Sequence, residues 1–207
     1  MTDTITLYTY PMSRGRIVHW LLEEIGAPYE IEVLDLQKQE QKRPAYLAIN
    51  PMGKVPTLVH RGVAITETAA ILIYLADAFP AAGLAPRADD PDRGTYLRWL
   101  VFGTSCFEPA IVDRILARPA PEGFNPLGYG TYAQALDALE RAVTPGPFVL
   151  GNRFSAADVL LASQLWWASM MKVLEPRAKL DQYQARCLDR PAYQRADGAA
   201  AKMMAQR

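Results

Sequence analysis

Asn50-Pro51-Met52-Gly53-Lys54-Val55-Pro56-Thr57-Leu58-Val59, followed shortly by Ile65-Thr66-Glu67-Thr68-Ala69-Ala70-Ile71-Leu72-Ile73-Tyr74-Leu75, decides how this chain is read. A proline between two β-branched residues at the mouth of a short strand forfeits a ladder hydrogen bond. The choice makes sense if Val55-Pro56 is cis, because the bend turns the N–H and C=O of Val55 outward, where an extended peptide can pair with them. Glu67 and Thr68 stand where a hairpin gives way to a buried helix. An acidic group and a hydroxyl there suit the amino-acid end of a peptide. Amides at the helix start read the carboxylate, and Glu67 takes the ammonium.

Working back from this segment, Ile5 and Leu7 alternate with Thr4, Thr6 and Tyr8, a strand pattern. Val18, Leu21, Leu22 and Ile25 then follow helical spacing, stopped by Gly26 and Pro28. Tyr29, Ile31 and Val33 alternate again, and a polar run from Gln37 to Arg43 leads through Pro44 to a short helical piece. Thr57-Leu58-Val59 and Val63-Ala64-Ile65 flank a turn at Arg61-Gly62, a hairpin. The helix expected over Glu67 to Phe79 is apolar on nearly every side and should lie between layers. The order strand, helix, strand, helix, strand, strand, helix is that of a thioredoxin-like α/β domain over residues 1–80.

Residues 81–90, with Gly83, Pro86 and two aspartates, read as a linker, and 91–207 as an all-helical domain. Asp90-Pro91 resembles a cap followed by a first-turn proline. Pro119 to Gly130 reads as a loop, and Tyr132, Ala135, Leu136, Leu139 and Val143 as an amphipathic helix. Ser155-Ala156-Ala157-Asp158 opens the next helix as a capping box, with Phe154 and Val159 at staple positions. The fold class is thus α/β followed by an all-α bundle.

At 207 residues, half of them hydrophobic, the chain can bury one generous core or two small ones. Lys plus Arg and Asp plus Glu balance at 22 each, so no charge excess points to nucleic acid or an anionic membrane. Cys106 and Cys187 lie far apart, as do His19 and His60, so no metal site is expected and both histidines read as structural or solvated. The first residues lack a basic region followed by an apolar run, and the apolar stretch from Ala156 to Leu165 is too short to span a bilayer. The expectation is a soluble, cytoplasmic protein.

Taken in order, the Val-Pro segment, the Glu67-Thr68 pair and the box at Phe154 to Asp158 resemble the cytosolic glutathione transferase family over essentially the whole chain. Trp20-Leu21-Leu22-Glu23-Glu24-Ile25-Gly26-Ala27-Pro28-Tyr29-Glu30 is similar to the family's first helix and second strand. The resemblance implies binding of glutathione as co-substrate and attack of its thiolate on a small hydrophobic electrophile, by conjugation or peroxide reduction. It implies that the Val55 backbone pairs with the cysteinyl residue and that Glu67 and Thr68 hold the γ-glutamyl group. Gln41, Lys42 and Lys54 fall where such enzymes place groups for the glycine carboxylate; for Lys42, a solvated polar run is the competing reading. It also implies a homodimer.

A free thiol has a pKa near 8.5, and lowering it by about two units requires roughly 2.7 kcal/mol of preference for the anion. One hydrogen bond to a charged acceptor supplies about 1.5–3 kcal/mol and a helix amino terminus roughly 0.3–1. A single hydroxyl at the start of the first helix is enough. Ser13, between Pro11-Met12 and Arg14-Gly15-Arg16, is the leading candidate and resembles the serine of the serine-type classes; Tyr8 and Tyr10 are the alternatives, and Ser13 as a mere helix cap is the plain one. No cysteine stands in this turn, which disfavours thiol–disulfide exchange. Tyr10 to Arg14 also lacks the Ser-Ser-x-Cys pattern of the glutathione-dependent isomerases. Met12, Trp99, Phe102, Cys106, Phe107 and Trp166 are candidate walls for the second substrate, or core. The rival from another class is a non-catalytic binding protein on the same fold.

Overall fold

A computed structural model describes residues 4–119, 121, 123 and 126–205. The amino-terminal half follows the expected order. Strand β1 (Ile5–Thr9) leads to helix α1 (Gly15–Ile25), then β2 (Tyr29–Val33), the short α2 (Pro44–Leu47), the hairpin β3 (Thr57–His60) and β4 (Val63–Thr66), and α3 (Thr68–Ala78). The sheet order is β2-β1-β3-β4, with β1 and β2 parallel and the other two pairings antiparallel. Helix α1 buries Ile17, Val18, Trp20, Leu21 and Leu22, and stops at Gly26 in the left-handed conformation. His19 and His60 are both structural. His19 is buried and bonded to the Tyr29 hydroxyl at 2.8 Å; His60 bonds the Tyr74 hydroxyl at 2.9 Å.

The carboxy-terminal half contains α4 (Arg93–Phe102), a π-helical turn over Gly103–Phe107, α5 (Glu108–Ile115), α6 (Tyr132–Ala142), α7 (Ala156–Met170), α8 (Ala178–Leu188) and α9 (Pro191–Ala205). Helix α4 starts later than the Asp90-Pro91 pattern predicts. Asp90 does not cap it; its carboxylate accepts from the Asp92 N–H at 2.8 Å and, with Asp92, grips Arg153. Within the loop expected over 119–130, residues 120, 122, 124 and 125 lie outside the described residues; the others form neither helix nor strand.

By packing, the chain divides into two compact units: residues up to Ala82 together with Arg190 onward, and Gly83–Asp189. The expected domain 91–207 would place α9 with the helical half. Its partners lie instead on α1. Arg190 forks onto Glu24 at 2.6 and 2.7 Å, Arg195 pairs with Glu23 at 2.5 Å, and Arg16 pairs with Asp197. The Tyr193 ring meets Trp20 edge-on, 5.0 Å between centroids. Periodicity reveals that a helix has an apolar face but not which neighbour covers it.

In the second unit the capping box forms as read from Ser155 and Asp158, and does more. Asp158 is fully buried and accepts four hydrogen bonds, from Ser155 N and Oγ (2.9 and 3.0 Å), Val149 N (3.0 Å) and Tyr183 Oη (3.0 Å). Burial pushes its carboxyl up to about 6 against the pull of these donors. One side chain thus joins the start of α7, the segment before it, and α8. Asp158→Ala strands four donors, each worth about 1–3 kcal/mol when left unsatisfied, so urea unfolding should show a loss above about 3 kcal/mol. Tyr183→Phe should lose only about 1 kcal/mol; equal losses in the two variants would contradict the role given to the carboxylate.

Candidate functional site

The strand register gathers the motif residues at one end of the sheet. Tyr8 pairs with Thr57, and Thr57 with Thr66. At that end β1 runs out toward Ser13, β3 begins just after Val55-Pro56, and β4 runs out into Glu67. Neighbouring strands lie about 4.8 Å apart, so the three exits fall within roughly 10 Å across the sheet, a span that two or three extended residues cover.

The Val55-Pro56 bond is cis. Among the described residues neither the N–H nor the C=O of half-buried Val55 has a hydrogen-bond partner. Glu67 precedes α3 with φ 66° and ψ 119°, a backbone conformation that L residues rarely hold and that costs on the order of 1–3 kcal/mol. Its side chain is exposed and makes no cap hydrogen bond. The first intrahelical bond runs from Ile71 N to Glu67 O at 2.9 Å, which leaves the amides of Thr68, Ala69 and Ala70 without an intrahelical acceptor. Thr68 itself is buried. An uncapped first turn beside an exposed carboxylate has the chemistry to receive an anion with a cation next to it.

Ser13 lies two residues before α1, half-buried. Its Oγ donates to Tyr10 O at 2.7 Å and accepts from Gly15 N at 3.1 Å, bracing the turn, while the N-cap position of α1 is Arg14. Gly15 allows α1 to start against the end of β1: a Cβ there would sit 1.8 Å from Thr9 Oγ1. Tyr8 is half-buried, its ring tilted against Tyr46 with 5.7 Å between centroids.

Gln41 and Lys42 lie on a single 3-10 turn, Glu40–Lys42. Lys42 Nζ donates to Met52 O at 3.0 Å, while Gln41 Oε1 is buried without a partner. Lys54 is exposed. Gly53 joins these pieces, with φ 57°; a Cβ there would come within 2.8 Å of both Gln41 O and Lys42 Nζ. The residues predicted for glutathione and its thiol therefore all lie in the first unit. Of the candidate wall residues, Trp99 and Phe107 are buried core, Phe102, Cys106 and Trp166 are half-buried, and Met12 is exposed. Among the described residues no group of three or more His, Cys, Asp and Glu is placed to hold a metal ion.

The amino-terminal domain model of the glutathione S-transferases matches residues 3–77, and the carboxy-terminal domain model residues 109–195. The chain is 35% identical to maleylacetoacetate isomerase maiA of Aspergillus fumigatus over 79% of its length and 77% of that protein's. It is 30% identical to the glutathione S-transferase GstA of Escherichia coli O157:H7 over 91% of its length and 94% of the relative's. The chain belongs to the glutathione S-transferase family. Among solved structures, a sphingomonad glutathione S-transferase complexed with glutathione superposes on this transferase with a TM-score of 0.79 at 32% identity, covering 95% of this chain and 98% of the other. A Methylococcus capsulatus glutathione transferase gives 0.79 at 31%, covering 95% and 98%.

Sequence reading of this transferase missed Tyr46 and Asn50, whose side chains stand behind the Val55 segment. Asn50 lay inside the quoted motif, but nothing in the spacing says which way an asparagine faces. For Gly53, the positive φ and the two close approaches together predict that Gly53→Ala lowers stability by about 1–2 kcal/mol or more, the cost of a left-handed L residue. Thermal or urea unfolding checks this, and an unchanged midpoint would contradict it.

Proposed function

We propose that this transferase binds glutathione at the sheet end formed by Ser13, Val55 and Glu67 and activates its thiol for attack on a small hydrophobic electrophile. The observation that carries the reading is the unpaired Val55 main chain lying one strand away from the uncapped start of α3. The cysteinyl main chain pairs with Val55 as an added strand would. The γ-glutamyl carboxylate meets the first-turn amides and Thr68, and its ammonium meets Glu67. The glycine carboxylate falls to Lys54, to Lys42, whose ammonium keeps two hydrogens beyond the one on Met52 O, and to the amide nitrogen of Gln41.

In this scheme Ser13 activates the thiol. Its hydroxyl turns from Tyr10 O to the thiolate, exchanging a neutral acceptor for a charged one that is bound about twice as strongly. Tyr8 and Tyr10 are the alternatives, and the packing of Tyr8 on Tyr46 gives Tyr8 a structural use. The similarity to the sphingomonad structure with glutathione supports the tripeptide, and the similarity to GstA supports transfer chemistry. The similarity to maleylacetoacetate isomerase favours a second reading, glutathione-dependent isomerisation, although the turn lacks that class's Ser-Ser-x-Cys pattern.

The reading extends to a cytoplasmic homodimer that needs no metal, membrane or nucleic acid. No described helix is long and apolar enough to cross a membrane. Tyr96, Trp99 and Leu100 on α4 are buried within the chain, so a pairing surface would not draw on them.

Ser13→Ala should raise the pKa of bound glutathione, read from thiolate absorbance, and slow conjugation by about 1.5–3 kcal/mol of transition-state energy. Tyr8→Phe should do much less, and the reverse ranking would transfer the role to Tyr8. The wild-type enzyme in the same assay decides between readings: turnover of maleylacetoacetate but of no electrophile or hydroperoxide would favour the isomerase, and binding without any turnover the non-catalytic protein.

A further inference from the structure

We infer that Tyr46, Asn50 and Thr57 form a buried frame that aims the Val55 N–H at glutathione, making them positioning residues for substrate binding. The inference rests on the glutathione reading above and goes beyond it to residues that touch no ligand.

Proton counting fixes the frame. Tyr46 Oη lies 2.6 Å from Lys54 O and 2.8 Å from Thr57 Oγ1. A carbonyl can only accept, so the single Tyr46 proton goes to Lys54 O and the Thr57 hydroxyl donates to Tyr46. Asn50 uses both amide hydrogens, one on Lys54 O at 2.9 Å and one on Thr57 Oγ1 at 3.1 Å. Its Oδ1 accepts from Met52 N at 3.1 Å, which orients the amide and closes the ring of bonds. Tyr46, Asn50 and Thr57 are all buried, so each of these bonds is costly to lose.

The consequence follows from peptide planarity. Lys54 C=O and Val55 N–H belong to one trans peptide group and point in opposite directions. Two donors holding the Lys54 oxygen inward therefore hold the Val55 hydrogen outward, with no freedom to rotate toward an acceptor of its own chain. Without the frame, that plane must be ordered when the ligand binds, and the ordering is charged against affinity. Thiol activation lies on a different element, at the start of α1, and should not respond.

The test is glutathione titration calorimetry together with the pH titration of bound thiolate absorbance on the full chain. Tyr46→Phe should bind glutathione about two- to tenfold more weakly, the worth of one net hydrogen bond, with the thiolate pKa unmoved. Thr57→Val should weaken binding in the same direction, and Thr57→Ser, which restores the hydroxyl, should return it to the wild-type value. Unchanged affinity in folded Tyr46→Phe, or a thiolate pKa that moves with the affinity, would overturn the frame. If Tyr46→Phe does not fold, the Thr57 pair carries the same comparison. A wild-type chain that binds no glutathione would remove the site reading and the frame with it, whereas wild-type binding indifferent to both substitutions removes the frame alone.

Discussion

The peptide group between Lys54 and Val55 is the constraint on which the proposed site depends. A backbone N–H and C=O left unpaired in a half-buried place are costly, and folded chains almost always find them partners. Here the cost is confined to Val55, because the Lys54 oxygen is doubly bonded from behind by Tyr46 and Asn50. The chain therefore presents one residue of strand edge, already oriented, which in the proposed scheme glutathione pairs with. The backbone of Glu67, held at φ 66°, is the second expense at the same sheet end. Two local costs at one sheet end are what motivates the proposed peptide site.

The scaffold explains how these costs are met. The register Tyr8–Thr57–Thr66 ties the three exits to a sheet whose core residues Ile5, Leu7 and Leu58 are buried. Helix α1 follows the Ser13 turn and is itself held from outside by two ion pairs from α9, the Arg190–Glu24 pair just before it and the Trp20–Tyr193 contact. These pairs, with Glu24 nearly buried, act together with the aromatic contact and the buried alanines Ala192, Ala196 and Ala200 in setting the register of α9 on α1. The helical unit has its own centre in Asp158, an anion that replaces water by four protein donors.

Much of this was legible in residues whose local chemistry allows few readings. Pro56 in a strand, Gly26 after an apolar helical face and Ser155 three residues before Asp158 each point to one local structure, and each forms it. What escaped the sequence depends on long-range neighbours. That α9 returns to α1, that Asp158 also binds Val149 and Tyr183, and that Trp99 and Phe107 are core are facts about tertiary partners, which periodicity does not name. Asp90 misled for a related reason: an aspartate before Pro91 fits a cap, but Arg153, far along the chain, engages its carboxylate. Ser13, Val55 and Glu67 fall at strand exits on one sheet end, yet Tyr46, in a short helix, and Asn50, just after it, look from sequence like any tyrosine and asparagine.

Amide hydrogen exchange at Val55 tests the central claim most directly. In the ligand-free protein its N–H should exchange quickly, having no acceptor among the described residues. Saturating glutathione should slow it by about two- to tenfold, the worth of one net hydrogen bond, and S-methylglutathione, which lacks the thiol proton, should protect it equally. Protection of other residues with Val55 exchange unchanged would show that the ligand does not pair with this peptide group and would contradict the account.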